Sequence, residues 1–214
     1  MTAEEQSAAD VPSAQEKIFL ATLACIEREG IDGLTVRTIA REAGVNTAAI
    51  NYYFGTKDKL VEQVLFRTLR EGLDGSLDEL EQFIAMKGGD IEGALREFLP
   101  MFFGQMVNWP RLAEAQLHDA LTKQNYESPA IREVNSFLTR FLEIVRPILP
   151  KRSEADHWIA VLHLWLPQMF LGMLPKAFDR VEAANVQDPG WREVYVLRLL
   201  DGFLSSSPSQ DSPA

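Results

Sequence analysis

A single cysteine, Cys25, occurs in 214 residues. An internal disulfide is therefore excluded, and a reducing compartment, the cytoplasm, fits best. Cys25 falls in an apolar helical pattern and reads as a small core residue rather than a reactive thiol. Histidine is almost as scarce, with three, at 118, 157 and 163. His157 and His163 lack the i,i+4 spacing of a helical zinc pair, and no cysteine cluster accompanies them. No nucleophile elbow surrounds Cys25. A glycine-rich phosphate loop with a following lysine is also missing, and "GGDIEG" at 88–93 reads as a helix break. No catalytic residue, metal or cofactor is expected, so the chain is not read as an enzyme.

Long hydrophobic runs are missing too. The most apolar stretch, "WIAVLHLWLPQMFLGMLP" at 158–175, contains His163, Pro167 and Gln168 and is short for a bilayer. It reads as a buried helix, and no membrane partner is expected. The opening "MTAEEQSAADVPS" is acidic with no apolar centre, so no secretory signal is expected.

Positive charge is in deficit. The net charge of −10 argues against a protein that coats nucleic acid over its whole surface. The balance is uneven, however. Between 35 and 59, Arg37, Arg41, Lys57 and Lys59 face only Glu42 and Asp58, a local +2 that leaves −12 for the rest. A small basic footprint on an acidic body can bind DNA at one defined place and disfavours indiscriminate binding.

What the chain does have is helical periodicity. Apolar residues recur at three- and four-residue spacing, and no β-branched alternation is sustained. Residues 1–12 and 205–214 are polar, lack this period and are expected to be disordered tails. "SAQE" is a capping box, with Ser13 as cap and Glu16 reaching back. Gly30 stops that first helix. Thr35 caps "VRTIAREA", which Gly44 ends; a third helix starts at Asn46 or Thr47 and ends at Gly55. Thr56 caps a fourth, expected over 56–72. Further helices are expected over 76–87, 90–107, 110–125, 129–146, 153–174 and 189–204, with breaks at glycines and prolines.

"GVN" between the second and third helices is too short for an antiparallel pair, and a sharp glycine-containing turn is the helix-turn-helix pattern. Ile39, Ala40, Val45, Ile50 and Phe54 have the spacing of an inner face. Thr47, Ala48, Asn51 and Tyr52 are left outside, where such a helix offers side chains to the major groove. Asn pairs in two-point fashion with adenine, Thr bonds bases or phosphates, and an Ala or Thr methyl meets a thymine methyl. Tyr53, Thr35 and Lys57 suit phosphate oxygens. With Arg37 and Asn46 they complete the expected DNA-facing set.

"GIDGLTVRTIAREAGVNTAAINYYFGTKDKL" resembles the DNA-binding domain of the TetR family of bacterial transcriptional regulators. The likeness runs from about Gln15 to Leu65 and covers about a quarter of the chain. Asn51 stands where many members carry a tyrosine, so the phosphate contacts carry over to Thr35, Tyr53 and Lys57, but the base-reading set and the operator do not. The resemblance implies an all-α homodimer: a helix-turn-helix domain, 13–58, followed by a larger helical domain, 59–204, that binds a small effector and dimerises. The helices at 153–174 and 189–204 occupy the place where copies pair, and Trp158, Val161, Leu162, Trp165, Met169, Met173, Val194, Leu197, Leu200 and Leu204 supply apolar residues for it.

The expected function is a repressor on a palindromic double-stranded operator, released by a small effector. Phe102, Gln105, Met106, Trp109, His118, His163 and Gln168 are the candidate pocket residues. They imply an apolar or aromatic ligand, because no cation cluster is present to hold a polyanion. Pro167 is expected to kink its helix and free a carbonyl. An effector is expected to act by moving the fourth helix, which starts beside the recognition helix. Alternatives are a helix-turn-helix regulator governed by a protein partner, an architectural factor, and an activator.

Overall fold

Capping chemistry delimits the first helices. In the computed structural model, which describes residues 12–205 except 152 and 182, α1 spans Ala14–Glu29, α2 Val36–Ala43 and α3 Thr47–Phe54. Ser13 Oγ accepts the Glu16 N–H at 3.1 Å, and Thr35 Oγ1 accepts the Thr38 N–H at 3.1 Å. The Glu16 carboxylate turns to Arg67, at 3.2 Å, rather than back to the cap. Apart from Pro12 and Ser205, the tails expected at 1–12 and 205–214 lie outside the described residues.

The chain divides into two compact units, one ending at Thr68 and one beginning at Leu69. The boundary expected at 58/59 lies near the start of the next helix, α4 (Lys57–Met86), and this division falls within that helix. In the first unit α1, α2 and α3 pack on one another around Ile18, Ile26, Leu34, Ile39 and Ile50, all almost wholly buried.

One expectation is overturned here. The fourth helix does not stop at 72; α4 runs unbroken from Lys57 to Met86. Gly72 and Gly75 each cost a helix interior about 1 kcal/mol, but burying Leu77 and Leu80 returns about 1.5–3 kcal/mol apiece. Ser76 Oγ also donates to the Gly72 carbonyl at 2.6 Å.

The second unit continues with α5 (Ile91–Asn108), α6 (Pro110–Lys123), α7 (Pro129–Val145), a 3-10 turn at Arg146–Ile148, α8 (Glu154–Met173) and α9 (Pro189–Ser205). No strand occurs among the described residues, so the fold is all-α. α5 packs against α8 and α9, and α7 against α8. Trp165 is the hub of this core. Phe102, Phe137 and Phe141 meet its ring edge to face, with centroids 5.0, 5.0 and 4.9 Å away, the favoured geometry for aromatic pairs.

Candidate nucleic-acid interface

Glycine sets the turn between α2 and α3. Gly44 sits at φ 66°, ψ 31°, the left-handed region that glycine enters without penalty. Its N–H bonds to the Arg41 carbonyl at 3.3 Å and the Val45 N–H to the Ala40 carbonyl at 3.0 Å, which closes α2 in a Schellman arrangement. Two residues later the chain re-enters a helix, and Asn46 Oδ1 accepts the Ala49 N–H at 2.9 Å. Ile50 and Phe54 are buried, which fixes the rotation of α3 about its axis.

That rotation turns Thr47, Ala48, Asn51 and Tyr52 to the outside. Tyr52 is 83% exposed, an unusual state for a large aromatic that packs on little beyond its neighbour Tyr53, edge to face at 5.1 Å. Tyr53 is exposed as well, as are Thr35, Arg37, Arg41, Asn46 and Lys59. Two of the expected contact residues already have work inside the fold. The oxygens of Thr35 and Asn46 cap α2 and α3, so Asn46 keeps only its amide N–H groups for a partner. Lys57 is half-buried, and its Nζ donates to the Leu34 carbonyl at 3.1 Å. Glu42, a carboxylate within α2, is held by Arg28 of α1 at 3.0 Å. A helix start with exposed residues, a local excess of cations and a carboxylate paired with Arg28 suit a polyanion.

The expected pocket residues differ widely in exposure. Phe102 and Gln168 are buried, Met106 and His118 are half-buried, and Gln105, Trp109 and His163 are exposed. Trp109 lies just past the end of α5, at its junction with α6. His163 lies on an outer stripe of α8 with Ile159, Leu166 and Phe170, which are 52%, 52% and 48% exposed. A cleft of about 260 Å³ in the first unit is lined by Ser13, Gln15, Glu16, Phe19, Phe54, Gln63 and Arg67, none of them a pocket candidate. Sequence reasoning also missed Trp165 as a polar group: its indole N–H is buried without a partner, as is Gln168 Oε1. Among the described residues no group of His, Cys, Asp and Glu side chains could hold a metal, and no helix is long and apolar enough to cross a membrane.

Residues 18–64 match the family model for bacterial regulatory proteins of the tetR family. A helix-turn-helix-type transcriptional regulator BetI from Burkholderia cenocepacia is 37% identical over 154 residues, 68% of this chain and 77% of that one. Its counterpart from Vibrio atlanticus is 27% identical over 161 residues, again 77% of that protein. Among solved structures, a TetR-family regulator from Mesorhizobium loti superposes with a TM-score of 0.70 at 16% identity, covering 90% of this chain and 96% of its own. With a relative this similar over most of both proteins, and a helix-turn-helix that presents a polar, aromatic face, the chain belongs to the TetR family of DNA-binding transcriptional regulators.

Proposed function

We propose that this regulator is a repressor that acts in the cytoplasm and binds a palindromic operator as a homodimer. Residues 13–58 read the DNA, and 59–204 dimerise and bind a small apolar or aromatic effector that releases the complex. The observation that carries this reading is the outward face of α3. Thr47, Ala48, Asn51 and Tyr52 stand exposed over a buried inner face, in the position from which a recognition helix reaches base edges. Thr35, Arg37, Tyr53 and Lys57 flank that face and take phosphate oxygens, and Asn46 offers its amide.

Dimerisation is supported by α8. Ile159, Leu162, Leu166, Phe170 and Leu174 recur at three- or four-residue spacing and are all at least 36% exposed. Val161, Trp165 and Leu200 belong to the chain's own core and leave this stripe to a partner. A contiguous apolar stripe of this kind marks an association surface. A two-fold pair places two readers on one DNA face, about 34–36 Å apart along the duplex. α4 carries residues of both units in one continuous helix, so a ligand that prefers one position of α4 shifts DNA affinity by its differential affinity for the two states.

The test is a footprint of the purified protein on the DNA flanking its own gene, at two salt concentrations, followed by a screen of apolar compounds for release. A two-fold symmetric footprint that survives the higher salt and is lifted by a compound supports the proposal. Protection indifferent to sequence, lost at the higher salt and untouched by any compound, overturns it.

A further inference from the structure

Among the described residues of the second unit, two buried polar atoms have no partner: the indole Nε1 of Trp165 and Oε1 of Gln168. Both side chains are almost wholly buried, at 1% and 0% exposure. The Gln168 amide has only one sensible orientation, because its Nε2 donates to the Leu164 carbonyl at 2.6 Å. The atom left over is therefore an acceptor, and the atom left over on Trp165 is a donor. They lie three residues apart on α8, about 60° round the helix axis. Native interiors seldom leave such a pair unmatched, and each case calls for a missing partner.

The surroundings limit what that partner can be. Phe102, Phe137 and Phe141 pack on the Trp165 ring. One turn beyond Gln168, Gly172 lies so close to Met106 that an added Cβ would stand 3.0 Å from the Met106 Cβ. Methionine is the wall residue most easily rearranged. No Asp, Glu, Lys or Arg side chain is buried among the described residues, so a charged guest would lie there uncompensated. A hydroxyl placed between the two would match both orphans, its oxygen accepting from the indole N–H and its proton going to the amide oxygen.

We infer that Trp165 and Gln168 are the polar anchors of the effector site, and that the effector is an uncharged, largely apolar molecule bearing one hydroxyl. This rests on the effector reading proposed above. The test is calorimetric titration of the full chain with 4-ethylphenol and with ethylbenzene, which differ only in the hydroxyl. Wild type is expected to prefer the phenol by about tenfold or more. Gln168→Met nearly keeps the volume and removes the acceptor; it is expected to bring that preference close to unity. Trp165→Phe is expected to do the same from the donor side. A hydroxyl preference that survives Gln168→Met, or no saturable binding of either probe, overturns the inference. Release from operator DNA by other compounds, equally in wild type and Gln168→Met, overturns these anchors while leaving the effector reading in place.

Discussion

The Lys57 ammonium donates to the Leu34 carbonyl at 3.1 Å, across 23 residues of sequence. The bond ties the first turn of α4 to the residue before Thr35, the cap of α2. A lysine expected to meet phosphate thus also braces the reader. Lys57→Met is expected to destabilise the chain by about 1–2 kcal/mol, because it leaves a part-buried carbonyl without its charged donor; urea unfolding measures this. The salt dependence of DNA binding separates the two roles. If Lys57 also neutralises a phosphate, the log–log slope falls by about 1 in Lys57→Met, whereas an unchanged slope leaves Lys57 as a brace alone.

Asn46 allows a second separation of fold from function. Asn46→Ala removes the cap of α3 and is expected to cost about 1 kcal/mol. Asn46→Asp keeps a good cap and favours the helix N-terminus, so thermal stability should stay near wild type. The new carboxylate would nevertheless face DNA phosphates. Operator affinity is expected to fall in Asn46→Asp despite intact stability; equal affinity in wild type and Asn46→Asp would show that α3 does not present its start to DNA.

For the pairing surface, Leu166→Glu together with Phe170→Glu places two carboxylates on the exposed stripe of α8. Neither side chain belongs to the protomer core, so the fold should persist. Light scattering is expected to show a dimer for wild type and a monomer for the double variant. A dimer in both would move the interface elsewhere.

Gly172 brings α8 close to Met106. An alanine Cβ there would stand 3.0 Å from the Met106 Cβ, an atom anchored to the backbone of α5. Gly172→Ala is therefore expected to destabilise by about 1–3 kcal/mol through overpacking, despite the better helix propensity of alanine. A rise in melting temperature would mean that the two helices separate at little cost.

The first unit was largely legible because its punctuation is local. Ser13, Thr35 and Asn46 act as caps within three residues of their partners, and Gly44 marks the turn by a backbone angle that only glycine adopts freely. Ile39, Ile50 and Phe54 then show which face is inside. The second unit was less legible because α8 is apolar around most of its circumference, so periodicity gives no phase. Leu162 and Trp165 look equivalent as letters, yet one is on the outer stripe and the other is the aromatic hub. The helix end expected at 72 falls in a stretch where Gly72 and Gly75 carry a local cost, while the burial of Leu77 and Leu80 that outweighs it depends on the packing of the whole unit. The unmatched atoms of Trp165 and Gln168 are likewise a property of packing, which no spacing rule encodes.

The central claim is that the exposed face of α3 reads DNA sequence. Its most direct test compares wild type with the Asn51→Ala, Tyr52→Ala double variant, on the DNA flanking the gene and on an unrelated fragment, at high salt. Both side chains are exposed, so the variant should fold as wild type does. The expected result is that the variant loses the specific complex, by about 1–3 kcal/mol for each base interaction removed, while weak binding to the unrelated fragment is unchanged. Undiminished discrimination between the two fragments in the double variant would contradict the claim.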